Sequence, residues 1–404
     1  MTKQRLPGLE FLRAACALIV LLNHAWGEGV GMPAFFPVTA IASYSIEAVM
    51  GFFVLSGCVI SMQDYPDAGA YMRARLVRLL PIYYSTLILA LAGMAICGVP
   101  YQPSQLAGNV FFLQTQDWSL FEPLRFFIPS WSLSYELYYY VAFVAILALP
   151  RLLLPLLAAS IVAGVCLYSV PRPAPPAFWL LHVSAFFGMW LAGVLITRLW
   201  RRGHGLSIDT GAFLLMIGLC LSHIPFSHPA KFDYFRLACF SACFACFVWA
   251  LLSQVQRPAG DDTKSLLNLD LVARGIVAAV TLALLWHFSH SMPSNKWILS
   301  VGVLAFTLAP ASLARQAGRV ARPAMPVMLY VAGLSYALYL VHYPLVQTFN
   351  DLAFLPPVPN FVVVVALSFA LAHLLDYRLQ PWVRARFRNH RPAAASSSSS
   401  SMRT

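Results

Sequence analysis

The chain has 404 residues, of which 60% are hydrophobic and only 10% are charged, and its mean hydropathy is +0.71. This composition excludes an ordinary soluble domain and predicts a polytopic membrane protein. The net charge of +12 gives no reason to expect a nucleic-acid partner, because most of the basic residues flank apolar segments.

Twelve apolar segments follow one another along the chain, each of about the length that crosses a bilayer as a helix. They predict an all-α, polytopic transmembrane helical bundle of about 10–12 spans, since the seventh segment is short. The segments are 9–27, 44–62, 79–98, 131–149, 152–170, 177–198, 209–224, 234–252, 271–288, 297–314, 326–347 and 359–378.

Lys and Arg are distributed unevenly among the segments that join these spans. If the N-terminus is cytoplasmic, 21 of the 27 basic residues lie in or beside cytoplasmic segments, so the positive-inside rule predicts both termini inside. The first apolar run has no small-residue cleavage site, and no cleavable signal peptide is expected. Residues 1–390 are predicted to form the membrane domain, and residues 391–404, with six consecutive serines, a disordered cytoplasmic tail.

The first span carries two ionisable side chains, Arg13 and His24, in an otherwise apolar run. An eleven-residue step along a helix returns to within about 20° of its starting direction while rising about 16 Å, so both side chains project from one face. Ionisable groups at membrane depth are costly unless they face protein or water, and two on one stripe predict a polar cavity. Snorkelling towards the membrane surface explains Arg13 alone but not His24, which lies three turns deeper.

The second and third spans carry further polar residues. Ser56 interrupts the apolar run GFFVLSG, where it either bonds a backbone carbonyl or lines a site. Arg73, Arg75 and Arg78 precede Pro81 at the predicted cytoplasmic entrance of the third span. Because guanidinium groups match phosphate oxygens, these three form a candidate phosphate-binding collar. The competing interpretation is ordinary positive-inside charge beside anionic lipid.

The fourth span begins at WSLSYELYYYV and places Glu136 about a turn and a half into the membrane from the predicted outer side. A carboxylate at that depth needs a partner, and we expect either a structural ion pair or a contact with His24 that makes the imidazole more basic. Trp131 stands at the exit of the longest loop, about 99–130, which also holds Trp118. Aromatic rings beside amides and carboxylates suit a carbohydrate surface, although aromatic residues near a membrane are also common anchors.

Tyr336, Tyr339 and His342 recur at three-residue spacing in the eleventh span, GLSYALYLVHYPL, and form a stripe along one helix face. An interfacial aromatic belt does not account for the whole stripe. The eight cysteines form no disulfide pattern. Three of them share a face of the eighth span, but without an interleaved His or carboxylate we expect core packing and no metal site.

Five motifs occur in one order along the chain: Arg13 with His24, FFVLSG, RARLVRLLP, WSLSYE with Tyr140, and SYALYLVHYP. In this combination the chain resembles the membrane acyltransferase-3 family, and the resemblance covers about residues 7–381. It implies a multi-spanning enzyme that moves an acyl group, commonly acetyl from acetyl-CoA, onto hydroxyls of sugars in surface polysaccharides or related glycans.

The resemblance also implies roles for individual residues. His24 would be the catalytic histidine, acting as general base or as acyl carrier, with Arg13 as its companion and Glu136 as a further catalytic residue. The residues expected to contact the CoA phosphates are Arg73, Arg75 and Arg78, and those expected to bind substrate are Ser56, Trp131, Tyr140, Tyr336, Tyr339 and His342.

Two positions depart from the family pattern. Glu10 stands where an Asp is common three residues before Arg13, and this change keeps an acid one helical turn away. Near the C-terminus the chain reads Leu379-Gln380-Pro381 in place of a Glu-x-Pro element, with the acid displaced to Asp376.

Two other function classes remain open. A transporter of a lipid-linked sugar would use the buried charges to line a conduit, but no clear repeat relates the two halves and no paired Gly/Pro-broken spans are present. An acyltransferase for a cytoplasmic or small-molecule acceptor would keep the chemistry and change the substrate. The leading prediction names acetyl-CoA, a glycan or glycolipid acceptor and the lipid bilayer as partners, with polysaccharide-biosynthesis machinery as a candidate partner, in a bacterial inner membrane.

Overall fold

The computed structural model describes residues 6–29, 32–33, 35–115, 121–169, 175–224, 234–255, 265–267, 269–288 and 293–389. Nearly all of these residues are helical, which confirms the predicted all-α fold class. The first seven helices are α1 (Pro7–Leu22), α2 (Phe36–Ala42), α3 (Ser45–Ser61), α4 (Ala68–Ile96), α5 (Pro103–Val110), α6 (Trp131–Ala148) and α7 (Leu153–Ser169). The others are α8 (Pro175–Arg201), α9 (Ile208–Leu221), α10 (Tyr234–Val255), α11 (Leu271–Phe288), α12 (Pro293–Leu308), α13 (Pro310–Leu352), α14 (Pro357–Leu374) and α15 (Gln380–Asn389).

Each of the twelve apolar segments contains a helix. Within the described ranges, eight helical stretches are long and apolar enough to cross a membrane, and α3, α9 and part of α12 are shorter apolar helices. The chain is therefore a polytopic integral membrane protein. Helices α2, α5 and α15 were not among the predicted spans, because they are short and lie outside the long apolar runs. The predicted tail, 391–404, lies outside the described residues, as does Trp118 of the long loop.

Small irregular elements interrupt the helices. A strand, β1 (Gly205–Leu206), pairs in parallel with β2 (Ser265–Leu267). Short 3₁₀ turns cover Arg125–Ser130 and Pro150–Leu152, and π-helical turns cover Asn23–Gly27 and Leu375–Leu379. Turns of the π type are rare and are frequently found at functional sites.

Helices α3 and α8 approach each other closely through two glycines. A Cβ atom on Gly57 would lie 2.1 Å from the carbonyl oxygen of Trp190, and one on Gly193 would lie 2.0 Å from that of Val54. Neither position has room for a side chain, so the two backbones pack directly, as small residues permit in membrane helices. This contact determines the position of Ser56, which precedes Gly57 on α3, along the axis of α8.

Helix α13 lies beside α1 and is much longer than a membrane span. Its 43 residues give a length of about 64 Å, roughly twice the apolar thickness of a bilayer. The predicted span, 326–347, forms its C-terminal half. Arg13 contacts Ser335 and His24 contacts His342, so the two helices run in the same direction along this interface.

Candidate active site

His24 lies at the end of α1, where the helix widens into the π turn Asn23–Gly27. The amide of Glu28 closes this turn by donating to the carbonyl of Asn23, five residues back, at 3.2 Å. The imidazole faces α13, and its Nδ1 lies 2.9 Å from Nε2 of His342. Tyr343 packs edge-on against the same ring, with ring centroids 4.9 Å apart. His24 is thus held between two residues of the eleventh predicted span.

The hydrogen bonds of His342 determine which nitrogen of His24 is open. Nδ1 of His342 lies 2.9 Å from the carbonyl oxygen of Leu338, and a carbonyl can only accept, so this nitrogen carries the hydrogen. In the neutral ring Nε2 of His342 is then an acceptor, and Nδ1 of His24 donates to it. The lone pair of neutral His24 is therefore on Nε2, the atom suited to act as a base or a nucleophile.

Glu28 stands next to that open nitrogen. Its Oε1 lies 3.5 Å from Nε2 of His24, and its Oε2 accepts from the side-chain amide of Gln347 at 3.4 Å. Partial burial raises the pKa of Glu28 to about 7, so its carboxyl group changes charge near neutral pH. Sequence reasoning missed this residue, although its position four residues after His24 places it on the same helix face.

The predicted contact between Glu136 and His24 is wrong. Glu136 Oε1 instead accepts from Ser56 Oγ at 2.5 Å and from the hydroxyl of Tyr140 at 2.6 Å. Trp190 Nε1 in turn donates to Ser56 Oγ at 3.3 Å. The direct partners of the carboxylate therefore lie on α3 and on α6 itself, and α8 is joined to them through Ser56. Ser56 bonds a carboxylate rather than a backbone carbonyl.

The register of α6 explains this difference. Ser132 Oγ lies 2.8 Å from the hydroxyl of Tyr339, which is almost one turn below His342 on α13. Glu136 follows Ser132 by a further turn and lies close enough to Arg13 to act electrostatically on its guanidinium. Glu136 lies five residues after the start of α6, about a turn and a half along the helix. His24 lies just beyond the end of α1, in the π turn.

Arg13 is anchored at the other end of the α1–α13 interface. Its Nη1 forms an ion pair with Glu10 Oε2 at 3.3 Å, and its Nη2 donates to Ser335 Oγ at 3.2 Å. Glu10 thus stands where the family pattern has an acid. Ser335 and His342 are seven residues apart, about 10 Å along α13, so Arg13 does not contact His24.

The three arginines of the third span separate into two groups. Arg78 forms an ion pair with Asp376 and lies over the ring of Tyr336, with Cζ 5.3 Å from its centroid. Arg75 donates to Gln63 Oε1 at 3.3 Å. Arg73 is exposed and has no side-chain partner within the part of the chain that the structure describes.

Helix geometry accounts for this separation. Positions 75 and 78 differ by about 60° around a helix, whereas 73 and 75 differ by about 160°, so Arg73 points away from the other two. The structure therefore brings Arg75 and Arg78 to one face and leaves Arg73 on another. A single collar of three guanidinium groups is not formed.

Asp376, the displaced acid near the C-terminus, lies in the second π turn, Leu375–Leu379. Besides Arg78 it accepts from the backbone amide of Ala337 at 3.4 Å. Its side chain is buried and joins the end of α14 to α4 and α13. The two π turns of the described chain thus present His24 and Asp376, one at each end of the polar groups along α13.

The remaining predicted site residues use their polar groups inside the bundle. The hydroxyl of Tyr336 donates to the carbonyl of Leu79 at 2.9 Å, and that of Tyr339 donates to the carbonyl of Pro129 at 3.0 Å. Trp131 is buried and packs edge-on against Tyr135, with ring centroids 5.2 Å apart. These three side chains therefore help to position α4, α6 and α13 around the polar interior.

The chain was compared with family models, curated proteins and solved structures. A family model described as an acyltransferase domain, that of the acyltransferase-3 family, matches residues 6–377, which include every predicted site residue. No curated protein matches the chain, and no solved structure does.

Proposed function

Since this chain belongs to the membrane acyltransferase-3 family and is a membrane acyltransferase, we propose that it transfers acetyl from acetyl-CoA to a sugar hydroxyl. The acceptor is a glycan or glycolipid on the extracytoplasmic side, and the membrane is a bacterial inner membrane with both termini in the cytoplasm. The observation that carries the proposal is the hydrogen-bonded chain from His24 through His342 to the carbonyl of Leu338.

That chain is what a base or nucleophile of an acyl transfer requires. A backbone carbonyl fixes the tautomer of His342, and His342 fixes that of His24, so Nε2 of His24 is unprotonated before substrate arrives. A fixed tautomer avoids the cost of reorganisation during the reaction. His342 acts here as a positioning residue, because it orients His24 and does not itself reach the reacting atoms.

The donor is proposed to enter from the end of the bundle that holds Arg75 and Arg78. Guanidinium groups on one helix face suit the phosphates of acetyl-CoA, which is a substrate here and not a resident cofactor. The step from Arg13 to His24 is about 16 Å along a helix, comparable to an extended pantetheine arm. With the positive-inside orientation, this end faces the cytoplasm.

In the first of two routes, His24 is a general base. Nε2 of His24 takes the proton of the acceptor hydroxyl while that oxygen attacks the carbonyl carbon of the thioester. The carbon–sulfur bond breaks, and the CoA thiolate recovers the proton from the imidazolium. Ionised Glu28, 3.5 Å from Nε2, stabilises the positive charge that forms on the ring.

In the second route, His24 carries the acyl group. Nε2 attacks the thioester carbon, the CoA thiolate leaves, and an acyl-imidazole forms on His24. The acceptor hydroxyl then attacks the acyl carbon, the bond to Nε2 breaks, and the hydroxyl proton passes to the CoA thiolate or to solvent. Both routes end in a sugar ester and free CoA.

The test uses the full chain in nanodiscs with isotope-labelled acetyl-CoA. Wild type is expected to bind the donor and to turn it over slowly without acceptor, whereas His24→Ala binds the donor and loses turnover, by about 10²–10⁴-fold if the residue is a base. His373→Ala is the matched control, because His373 is an exposed histidine of α14 with Tyr330 as its partner.

The same experiment separates the routes and can refute the proposal. Label trapped on wild type but not on His24→Ala, in the absence of acceptor, supports the acyl-imidazole, and its absence at saturating donor supports the base route. A His24→Ala protein that turns over acetyl-CoA at the wild-type rate contradicts the assignment. A protein that moves a lipid-linked sugar across the membrane without CoA is a transporter.

A further inference from the structure

A small pocket lies where α6 passes into α7, against the C-terminal half of α8. Its polar side is formed by Arg151, Arg198 and Arg202, and its apolar side includes Leu154, Leu195 and Leu199. Among the described residues, no carboxylate lines it. Three guanidinium groups with no carboxylate beside them need another anion or water as a partner.

Arg198 is fixed at the base of this pocket. Its Nη1 donates at 2.6 Å to the carbonyl oxygen of Pro150. The same oxygen closes the 3₁₀ turn Pro150–Leu152 by accepting from the amide of Leu153, and Arg198 uses its second lone pair. A guanidinium has five donors in a rigid fork, so one hydrogen bond to the backbone orients the others without satisfying them. The turn between α6 and α7 therefore aims a cation into the pocket.

Arg151 and Arg202 add two further positive charges to the lining of the pocket. Both are exposed, and neither has a carboxylate partner in the described ranges. Arg201, adjacent in sequence to Arg202, behaves differently, because it forms an ion pair with Asp64 at 3.2 Å and donates to the carbonyl of Met62 at 2.8 Å. The pocket thus holds the arginines of this region that lack acidic partners.

We propose that this pocket binds the phosphate headgroup of an anionic phospholipid. Guanidinium groups recognise phosphate oxygens in forked geometry, and the leucines beside them offer an apolar surface to the first part of an acyl chain. Arg151 follows α6, and Arg198 lies in the last turn of α8. In the predicted orientation both lie at the cytoplasmic leaflet, where anionic lipids concentrate.

The site is separate from the proposed acyl-transfer centre. None of its lining residues contacts His24, His342, Arg75 or Arg78 through a hydrogen bond or ion pair in the described chain. A soluble phosphate compound would use the same three guanidinium groups but would gain nothing from the leucines. The apolar wall is therefore what favours a lipid over a free phosphate.

The test compares two variants that lose the same charge. One replaces Arg151, Arg198 and Arg202 with Gln, and the matched control replaces the exposed residues Arg315, Arg319 and Arg322 of α13 with Gln. Retention of phosphatidylglycerol and phosphatidylcholine is measured by native mass spectrometry of each full-length protein after graded delipidation. Wild type and control are expected to retain phosphatidylglycerol preferentially, and the pocket variant to lose this preference by at least about tenfold.

Further variants keep the test decisive. Arg151→Gln and Arg202→Gln alone leave the Arg198 hydrogen bond intact, and each is expected to weaken retention severalfold in a protein that elutes as wild type. Equal retention by the pocket variant and the control overturns the proposal. So does a pocket variant that keeps phosphatidylglycerol but loses binding of inorganic phosphate or raises the KM for acetyl-CoA, because the pocket would then serve a soluble phosphate.

Discussion

The two ends of the α1–α13 interface hold polar groups of different kinds. At one end His24 and His342 form a chain of hydrogen bonds that ends at a backbone carbonyl and leaves Nε2 of His24 facing Glu28. At the other end the guanidinium groups of Arg13 and Arg78 already have carboxylate partners, Glu10 and Asp376. The first end is organised to react with an incoming group, whereas a ligand at the second must compete with existing ion pairs.

After the loss of His24 itself, the loss of His342 is expected to have the largest effect on activity, because His342 orients His24. His342→Phe keeps an aromatic ring but leaves Nδ1 of His24 without its acceptor, so the imidazole is free to rotate or to change tautomer. We expect kcat to fall about a hundredfold, as for a misplaced catalytic group, with KM for acetyl-CoA unchanged. His373→Phe serves as the control, and an unchanged kcat in His342→Phe would argue against a positioning role.

The second end is tested by removing one of its cations. Arg78→Gln is expected to raise the KM for acetyl-CoA about tenfold or more, since a hydrogen bond to a charged group contributes about 1.5–3 kcal/mol. Arg73→Gln removes the same charge from the same helix, but Arg73 points away from Arg78 and should change KM little. Steady-state kinetics of both variants measures this difference in KM. Equal increases in KM would contradict the proposal that Arg78, and not Arg73, contacts the donor.

Asp376 tests whether the donor competes with an existing ion pair. Asp376→Asn leaves the partly buried Arg78 without its counter-charge, so we expect a Tm a few degrees below wild type without ligand. Acetyl-CoA supplies phosphate to the same guanidinium and should then raise Tm more in Asp376→Asn than in wild type. Thermal unfolding with and without donor measures this difference, and an equal increase in both proteins would contradict competition.

The smallest expected effect concerns pH at the first end. Because the pKa of Glu28 is about 7, its carboxyl group is mostly protonated below that pH and charged above it, facing His24, Tyr343 and Gln347. The charged form stabilises imidazolium, so kcat should rise severalfold as pH increases through about 7. Glu28→Gln cannot ionise and should lack this rise in a pH–rate profile. A profile identical to wild type would exclude Glu28 from the reaction.

The sequence predicted the fold class and most of the membrane helices because hydropathy is a local property. It also placed Arg13 and His24 on one helix face, and the structure has both facing α13. The partners of these residues could not be predicted, because Ser335 and His342 are more than 300 positions away and the register between helices depends on packing. The mistaken contact between Glu136 and His24 arose from the same missing register.

Two other features were not predicted, for different reasons. The π turns at Asn23–Gly27 and Leu375–Leu379 arise from single-residue changes in hydrogen bonding, which hydropathy does not record. The separation of Arg73 from Arg75 and Arg78 was available from helix geometry but depended on knowing that α4 begins at Ala68, before the predicted span at 79–98. Because α4 begins at Ala68, the three arginines lie on a helix, and helical geometry places Arg73 on a different face from Arg75 and Arg78.

The wide turn at Asn23–Gly27 also determines which insertions and deletions the chain can accept. Deleting a residue between Arg13 and His24 would turn the imidazole by about 100° and remove it from α13. Deleting one after His24, within the wide turn, would convert that turn to an ordinary helical one, leave His24 beside His342, and shift only Glu28. A change in length within this turn would therefore move Glu28 relative to His24 while the contact between His24 and His342 is kept.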